Sequence, residues 1–338
     1  MIPFDYHRAS DVADAVRKIS GNPAAKFIAG GTNLVDLMKD NVVTPKALID
    51  ISRLPLNKVE KTGAGGLRIG ALVPNSDLAY DPQVEGQYPV LSSAILAGAS
   101  QQLRNMASTG GNLLQRTRCA YFYDTATPCN KREPGSGCSA AEGINRIHAI
   151  LGWSPSCIAV HPSDMCVALA VLEAKVHVTG PKGEREIAFA DFHRLPGDTP
   201  QIDTNLKPDE IITAIELPEQ GFSKHYTYIK IRDRLSYAFA LISVAAGLDM
   251  DGDTIREARF ALGGVAHKPW RNKDAEAALK EQKASAENFR KAADILLQDA
   301  KAFAHNKFKI DLARRAIVRA LTQAARGTPQ IQSIKKLR

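Results

Sequence analysis

The stretch Lys26-Phe27-Ile28-Ala29-Gly30-Gly31-Thr32-Asn33-Leu34 decides how the chain begins to fold. A short apolar run stops at paired glycines, and beyond them Leu34, Val35, Leu37 and Met38 recur at helical spacing, so a strand passes through a glycine turn into a helix. Upstream, 3–6 reads as a strand, and Ser10 is the expected cap of a helix with apolar positions Val12, Ala15, Val16 and Ile19. Paired glycines ahead of a helix leave main-chain N–H groups uncovered, an arrangement that cradles phosphate oxygens, and Thr32 and Asn33 add side-chain donors. A plain tight turn, with glycine at positive φ and Asn33 as cap, explains the same residues. Downstream, a helix expected over 89–102 leads to a second such turn, Thr109-Gly110-Gly111-Asn112. Two cradles would suit the two phosphates of one pyrophosphate, which brings a nucleotide cofactor level with the plain-turn reading.

Further out, 57–61 and 67–73 form a hairpin through Gly63, Gly65 and Gly66. Arg68 breaks any G-x-G-x-x-G match, so a Rossmann fingerprint is absent. Ser163 caps a helix over 164–172, and strands follow at 175–179, 185–189 and 209–217. After a boundary near 219–224 come strands at 225–231, 238–250 and 256–265, with Asp251-Gly252-Asp253 as a hairpin turn, then helices over 274–325. Asp164 stands in the first turn of its helix, where the dipole favours a carboxylate and where it could equally hold cofactor hydroxyls. Lys230 alternates with Ile229 and Ile231 and by itself reads as a solvated edge residue.

The five cysteines, at 119, 129, 138, 157 and 166, fall in one section of the chain. From 119 to 157 apolar periodicity nearly vanishes, and a loop of that length inside a domain is functional or disordered. The spacing lacks the close pairs of structural zinc sites. Four thiolates on an iron–sulfur cluster would tolerate a wrapped loop, and the metal–sulfur bonds would offset the entropy of ordering it. Cys119, Cys129, Cys138 and Cys157 are the candidates, with unligated thiols or a disulfide pair as the alternatives. Cys166, among Met165, Val167 and Leu169, reads as a small buried thiol.

Composition excludes several classes. Hydrophobic residues make up 44% and charged residues 24% of 338, which rules out collagen-like, coiled-coil and wholly disordered chains. No run reaches the ~20 apolar residues of a membrane helix. The first residues lack a signal-peptide pattern, so folding in the cytoplasm is expected, with the periplasm open through export on a partner. The net charge of +8 is scattered rather than striped, so nucleic acid is not an expected partner.

The stretch 26–34, Arg104-Asn105 with Thr109-Gly110-Gly111-Asn112-Leu113, Ser163-Asp164-Met165, and Ala261 to Ala266 with Pro269-Trp270-Arg271 together resemble the FAD-binding (medium) subunit of the molybdenum hydroxylases, the xanthine dehydrogenase family. Gln115-Arg116-Thr117-Arg118-Cys119 and Pro128-Cys129-Asn130-Lys131-Arg132 resemble the [4Fe-4S]-containing flavoprotein subunits of bacterial aldehyde oxidoreductases. The resemblance implies an α+β fold: a two-lobed FAD-binding domain of the vanillyl-alcohol oxidase (PCMH) type, then a smaller α+β domain of the CO dehydrogenase flavoprotein C-terminal type. The expected division is 1–55 and 56–220 for the lobes, a cysteine-rich insertion at 115–160, a C-terminal domain at 224–330 and a basic tail at 331–338. Carried over, Lys26, Phe27, Ile28, Ala29, Gly30, Gly31, Thr32, Asn33 and Leu34, with Thr109, Gly110, Gly111 and Asn112, would hold the FAD pyrophosphate and ribityl chain. Asp164 would bind the ribityl region, Lys230 would approach the flavin, and Cys119, Cys129, Cys138 and Cys157 would ligate the cluster. Thr109 stands where the family commonly has an apolar residue. Implied partners are a large molybdopterin-binding subunit, a small [2Fe-2S] subunit and an external electron acceptor. A stand-alone flavin oxidase of the same fold, or a metal-stabilised binding module, are the competing expectations.

Overall fold

The computed structural model describes residues 1–332, so positions 333–338 of the expected basic tail lie outside the described residues. Three sheets organise the chain. In the first, β1 (Asp5–Arg8), β3 (Ala47–Asp50) and β2 (Ala25–Ile28) run parallel in that order, with β3 in the middle and buried throughout. The Val12–Ser20 helix covers the sheet with Ala15, Val16 and Ile19. Its cap is Asp11, not the expected Ser10: the Asp11 carboxylate accepts from Asp14 N at 2.7 Å, and the Ser10 hydroxyl donates to that carboxylate. A charged oxygen is the stronger acceptor and suits the positive end of the helix.

The second sheet is antiparallel, in the order β4 (Val59–Lys61), β5 (Leu67–Gly70), β8 (Ile211–Leu217), β6 (Lys175–Gly180), β7 (Gly183–Ala188). Pairing β5 with β8 closes the chain over the helices and the cysteine-bearing loop between them. Beneath lies a core of Leu67, Ile69, Val176 and Ile215 against the Pro89–Ala97 and Asp164–Val171 helices. The helix expected over 89–102 is broken in two. Ala99 takes φ +50° and Ser100 caps a separate Gln101–Met106 helix. The break frees the Ala97 carbonyl, which accepts from Lys230 Nζ at 3.2 Å and Arg232 Nη1 at 3.0 Å.

The third sheet, β11 (Thr254–Gly263), β10 (Ile242–Asp251), β9 (Tyr226–Ile231), is antiparallel and turns at Asp251-Gly252 as expected. The Phe308–Ala325 helix packs with Val244, Ala246 and Phe260 in one core. Tyr228, Ala245 and Ala261 instead join the core of the second sheet, beside the Asp164–Val171 helix. Both faces are therefore covered, and β9 is buried at four consecutive positions. Lys230 is buried for this reason, contrary to the solvated edge position that alternation suggested.

Candidate functional site

The glycine turns meet because Gly30 has no side chain. A Cβ there would stand 1.7 Å from the Met106 carbonyl oxygen, so only glycine lets the first turn close on the segment leading to the second. Gly31, at φ +71°, continues the turn. Among the described residues the main-chain N–H groups of Gly30, Gly31, Thr32 and Asn33 have no protein partner, so the first turn is an open set of donors. Asn33 does not cap the following helix; its Oδ1 accepts from Arg116 N at 2.8 Å and ties the turn to the start of the cysteine segment.

The second turn differs from the sequence expectation. Thr109 N donates to Val73 O, Gly110 N to Ala71 O, and Asn112 N to Ser108 O, at 2.7–2.9 Å. The Thr109 hydroxyl donates to Val73 O at 2.8 Å and faces the core. These residues form a short Thr109–Leu113 helix, and its donors are spent on holding that helix against 71–73. Gly111 N is held by the Ser108 hydroxyl at 3.2 Å, a side-chain cap that a stronger acceptor can replace. The second turn is thus a wall with one exchangeable donor, not a second open cradle.

Each turn is joined to a cleft. Ser163 Oγ bonds Asn112 Oδ1 at 2.6 Å, and Arg118 Nη1 donates to Asp36 Oδ2 at 2.8 Å. Ser163, Asp164 and Arg118 line a cavity of about 230 Å³, with Phe239, Leu241 and Gly264 opposite. Arg118 stacks 5.1 Å from the Phe239 ring centre, which closes one side. Asp164 is fixed by both oxygens: Oδ1 accepts from Tyr228 OH at 2.6 Å and Oδ2 from Lys230 Nζ at 2.7 Å. Burial and the neighbouring Asp164 charge push the Tyr228 hydroxyl well above its ordinary pKa, so it stays a donor. Lys230 does not line the cleft; it holds Asp164 from behind.

Cys119, Cys129, Cys138 and Cys157 line one small chamber of about 10 Å³, with Phe122, Ala140 and Ala159 among the walls. All five cysteines are free thiols, which removes the disulfide alternative. Burial pushes Cys119 up to about 12 and Cys157 up to about 11, so at neutral pH these thiols keep their protons unless a metal displaces them. Among the described residues no three of the four sulfurs lie within 4.8 Å of one another. A tetrahedral zinc with bonds of about 2.3 Å would need sulfurs roughly 3.8 Å apart. Cys166 is elsewhere, fully buried in its helix as expected.

A family model described as the FAD-binding domain in molybdopterin dehydrogenase matches residues 2–220, and one described as the CO dehydrogenase flavoprotein C-terminal domain matches 226–324. The chain belongs to the FAD-binding medium subunits of the molybdenum hydroxylase family. It is 53% identical over 325 residues to the aldehyde oxidoreductase FAD-binding subunit PaoB of Escherichia coli, covering 96% of this chain and 99% of that one. The glyceraldehyde dehydrogenase medium chain of Sulfolobus acidocaldarius is 28% identical, over 81% of this chain and 79% of its own. Among solved structures, carbon monoxide dehydrogenase from Hydrogenophaga pseudoflava superposes with TM-score 0.76 at 25% identity, over 97% of this chain and 99% of that one.

This medium subunit is an oxidoreductase component that binds FAD, and its α+β fold is the expected one. The open donors at 30–33, the glycine that no side chain can replace and the adjoining cleft are consistent with that cofactor. Sequence reasoning missed two of its histidines. His148 Nε2 lies 3.1 Å from Cys119 Sγ, and His267 Nε2 lies 3.3 Å from Cys157 Sγ. The histidines looked scattered because the contacts span 29 and 110 residues of sequence.

Proposed function

We propose that this chain is the FAD- and [4Fe-4S]-binding electron-transfer subunit of a molybdenum-dependent aldehyde oxidoreductase. In that reaction an aldehyde and water give a carboxylic acid, two protons and two electrons. Oxidation takes place on a large molybdopterin subunit, and the electrons pass through the [2Fe-2S] centres of a small subunit to this one and on to an external acceptor. The observation that carries the reading is the convergence of four free cysteines on one chamber that shares Cys119 with the cleft. The full-length likeness to a subunit named for aldehyde oxidoreduction supports the substrate class.

In this reading the flavin supplies an electron store that accepts and releases electrons singly or in pairs. The donors of residues 26–34 and Gly111 hold the pyrophosphate and ribityl chain. Asp164, locked by Tyr228 and Lys230, presents a fixed carboxylate to the ribityl hydroxyls, and the Arg118–Phe239 stack shields one side of the cleft from water. Cys119, Cys129, Cys138 and Cys157 ligate the cluster. The domain division at about 55 and 220–224 belongs to the same reading, as does folding in the cytoplasm with the periplasm reached on a partner's signal. Among the described residues no helix is long and apolar enough to cross a membrane.

The test is reduction by aldehyde. The chain with FAD alone should leave its flavin oxidised when aldehyde is added, and adding the large and small subunits should bleach it. Aldehyde-dependent bleaching by the chain alone would instead make it a stand-alone flavin oxidase.

A further inference from the structure

Beside main-chain N–H groups of Tyr121, Phe122 and Ala159, His148 and His267 bring side-chain nitrogens to the sulfurs of Cys119 and Cys157. Both are buried, and neither is in the set that the sequence singled out. Each points Nε2 at a sulfur and leaves Nδ1 buried without a hydrogen-bond partner. A metal-bound thiolate has no hydrogen to give, so in such a contact Nε2 must carry the proton and donate it. Nδ1 then keeps a lone pair, which needs no donor as strictly as a buried N–H needs an acceptor.

The main chain around His148 is held by the C-terminal part of the chain. Lys309 Nζ donates to the carbonyls of His148 at 2.7 Å and Gly264 at 2.6 Å. Asn306 Nδ2 donates to Ala149 O at 3.1 Å, and Asn145 Oδ1 accepts from His305 N at 3.0 Å. His267 lies four residues beyond the end of β11, and the preceding Ala266 carbonyl accepts from His161 N at 2.9 Å. Of the two contacts, Cys119 with His148 is the one that also lines the cleft.

We propose that His148 and His267 are positioning residues that donate N–H···S hydrogen bonds to the cluster thiolates of Cys119 and Cys157 and thereby raise the reduction potential of the cluster. The inference rests on the [4Fe-4S] reading above. A hydrogen bond withdraws charge from the sulfur and favours the more negative, reduced cluster. His148 would act on the side facing the flavin and His267 on the far side.

The test is a redox titration of the full chain, purified without oxygen and followed by EPR of the reduced cluster. His148→Leu should lower the ratio of reduced to oxidised cluster about tenfold at a fixed potential, which is 59 mV for a one-electron couple. His148→Gln, which keeps an N–H, should recover part of the shift, and His267→Leu should move the potential in the same direction. Since a variant can lose its cluster, the unsubstituted chain is also labelled with ¹⁵N-histidine and measured by pulsed EPR. Nitrogen coupling from two imidazoles is expected. Four irons with no coupling, or variants that keep four irons at an unchanged potential, would overturn the inference while leaving the cluster reading intact. A chain with no cluster at all would overturn the reading beneath it.

Discussion

Gly30 carries the closest approach in the site, with the Met106 carbonyl where a side chain would begin. Gly30→Ala must push that segment away, at a cost of about 3 kcal/mol. FAD content and melting temperature should fall together, and unchanged flavin occupancy would show that the first turn is no cradle. Asp164 and Lys230 form a pair in which each side chain is nearly inaccessible, so removing one partner strands the other charge. Asp164→Asn should destabilise by about 3–5 kcal/mol, and a double variant with Lys230→Met should lose far less than two such losses. Additive losses in denaturant titrations would mean the pair is not coupled. Two further histidines carry a pH dependence. Burial lowers His193 to about 4 and His161 well below its ordinary value, and both stay neutral in the folded chain. Unfolded, they titrate near 6.5, so the unfolded state binds more protons as pH falls below that value. Stability should be complete above about pH 6.5 and decline towards pH 4, by about 3 kcal/mol for His193 alone. His193→Gln should flatten melting temperature against pH in that window, and an unaltered slope would assign the acid sensitivity elsewhere.

Among elements, those punctuated by local chemistry were legible in the sequence. The strand–turn–helix at 25–39, the Ser163 cap with Oγ accepting from Cys166 N at 3.1 Å, and the β10–β11 turn all follow from short-range signals. The helix pair at 89–106 was not, because Ala99 breaks it without a proline or asparagine. What favours the break is tertiary: Gly98 lies against Asp164, and the Ala97 carbonyl meets two cations. Lys230 was misjudged because alternation reports one buried face, whereas β9 is covered on both. The cysteine segment was legible as a long loop, functional or disordered, yet its histidine contacts come from 29 and 110 residues away. Its own helices are single turns, Ala120–Tyr123 and Ser139–Glu142, so helix formation alone stabilises little of it. Cys129→Ser should separate two roles for the cluster. Lost FAD and solubility would make it a staple for the loop, and a retained fold with slowed electron transfer would make it a relay.

The whole molecule places an open donor turn, a cleft and a thiol chamber in one continuous wall. Asn33 links the first to the cysteine segment, and Cys119 is shared by the other two. The C-terminal sheet closes the cleft through Leu241 and Gly264, and Lys309 fastens the cysteine segment to it at His148. Lys309 is fully buried, and burial lowers it to about 7. Lys309→Met would leave the His148 and Gly264 carbonyls without that donor, at about 2 kcal/mol. Cluster loss on mild heating should then precede FAD loss, whereas simultaneous loss would show that the fastening is not local. Everything proposed for electron flow depends on what the chamber holds. The decisive measurement is quantification of iron, acid-labile sulfide, zinc and flavin, with an absorption spectrum, on chain purified without oxygen. About four irons, four sulfides and one FAD per chain are expected. Zinc in the chamber, or well-folded chain with FAD but no metal, would contradict the cluster and leave a simpler flavoprotein.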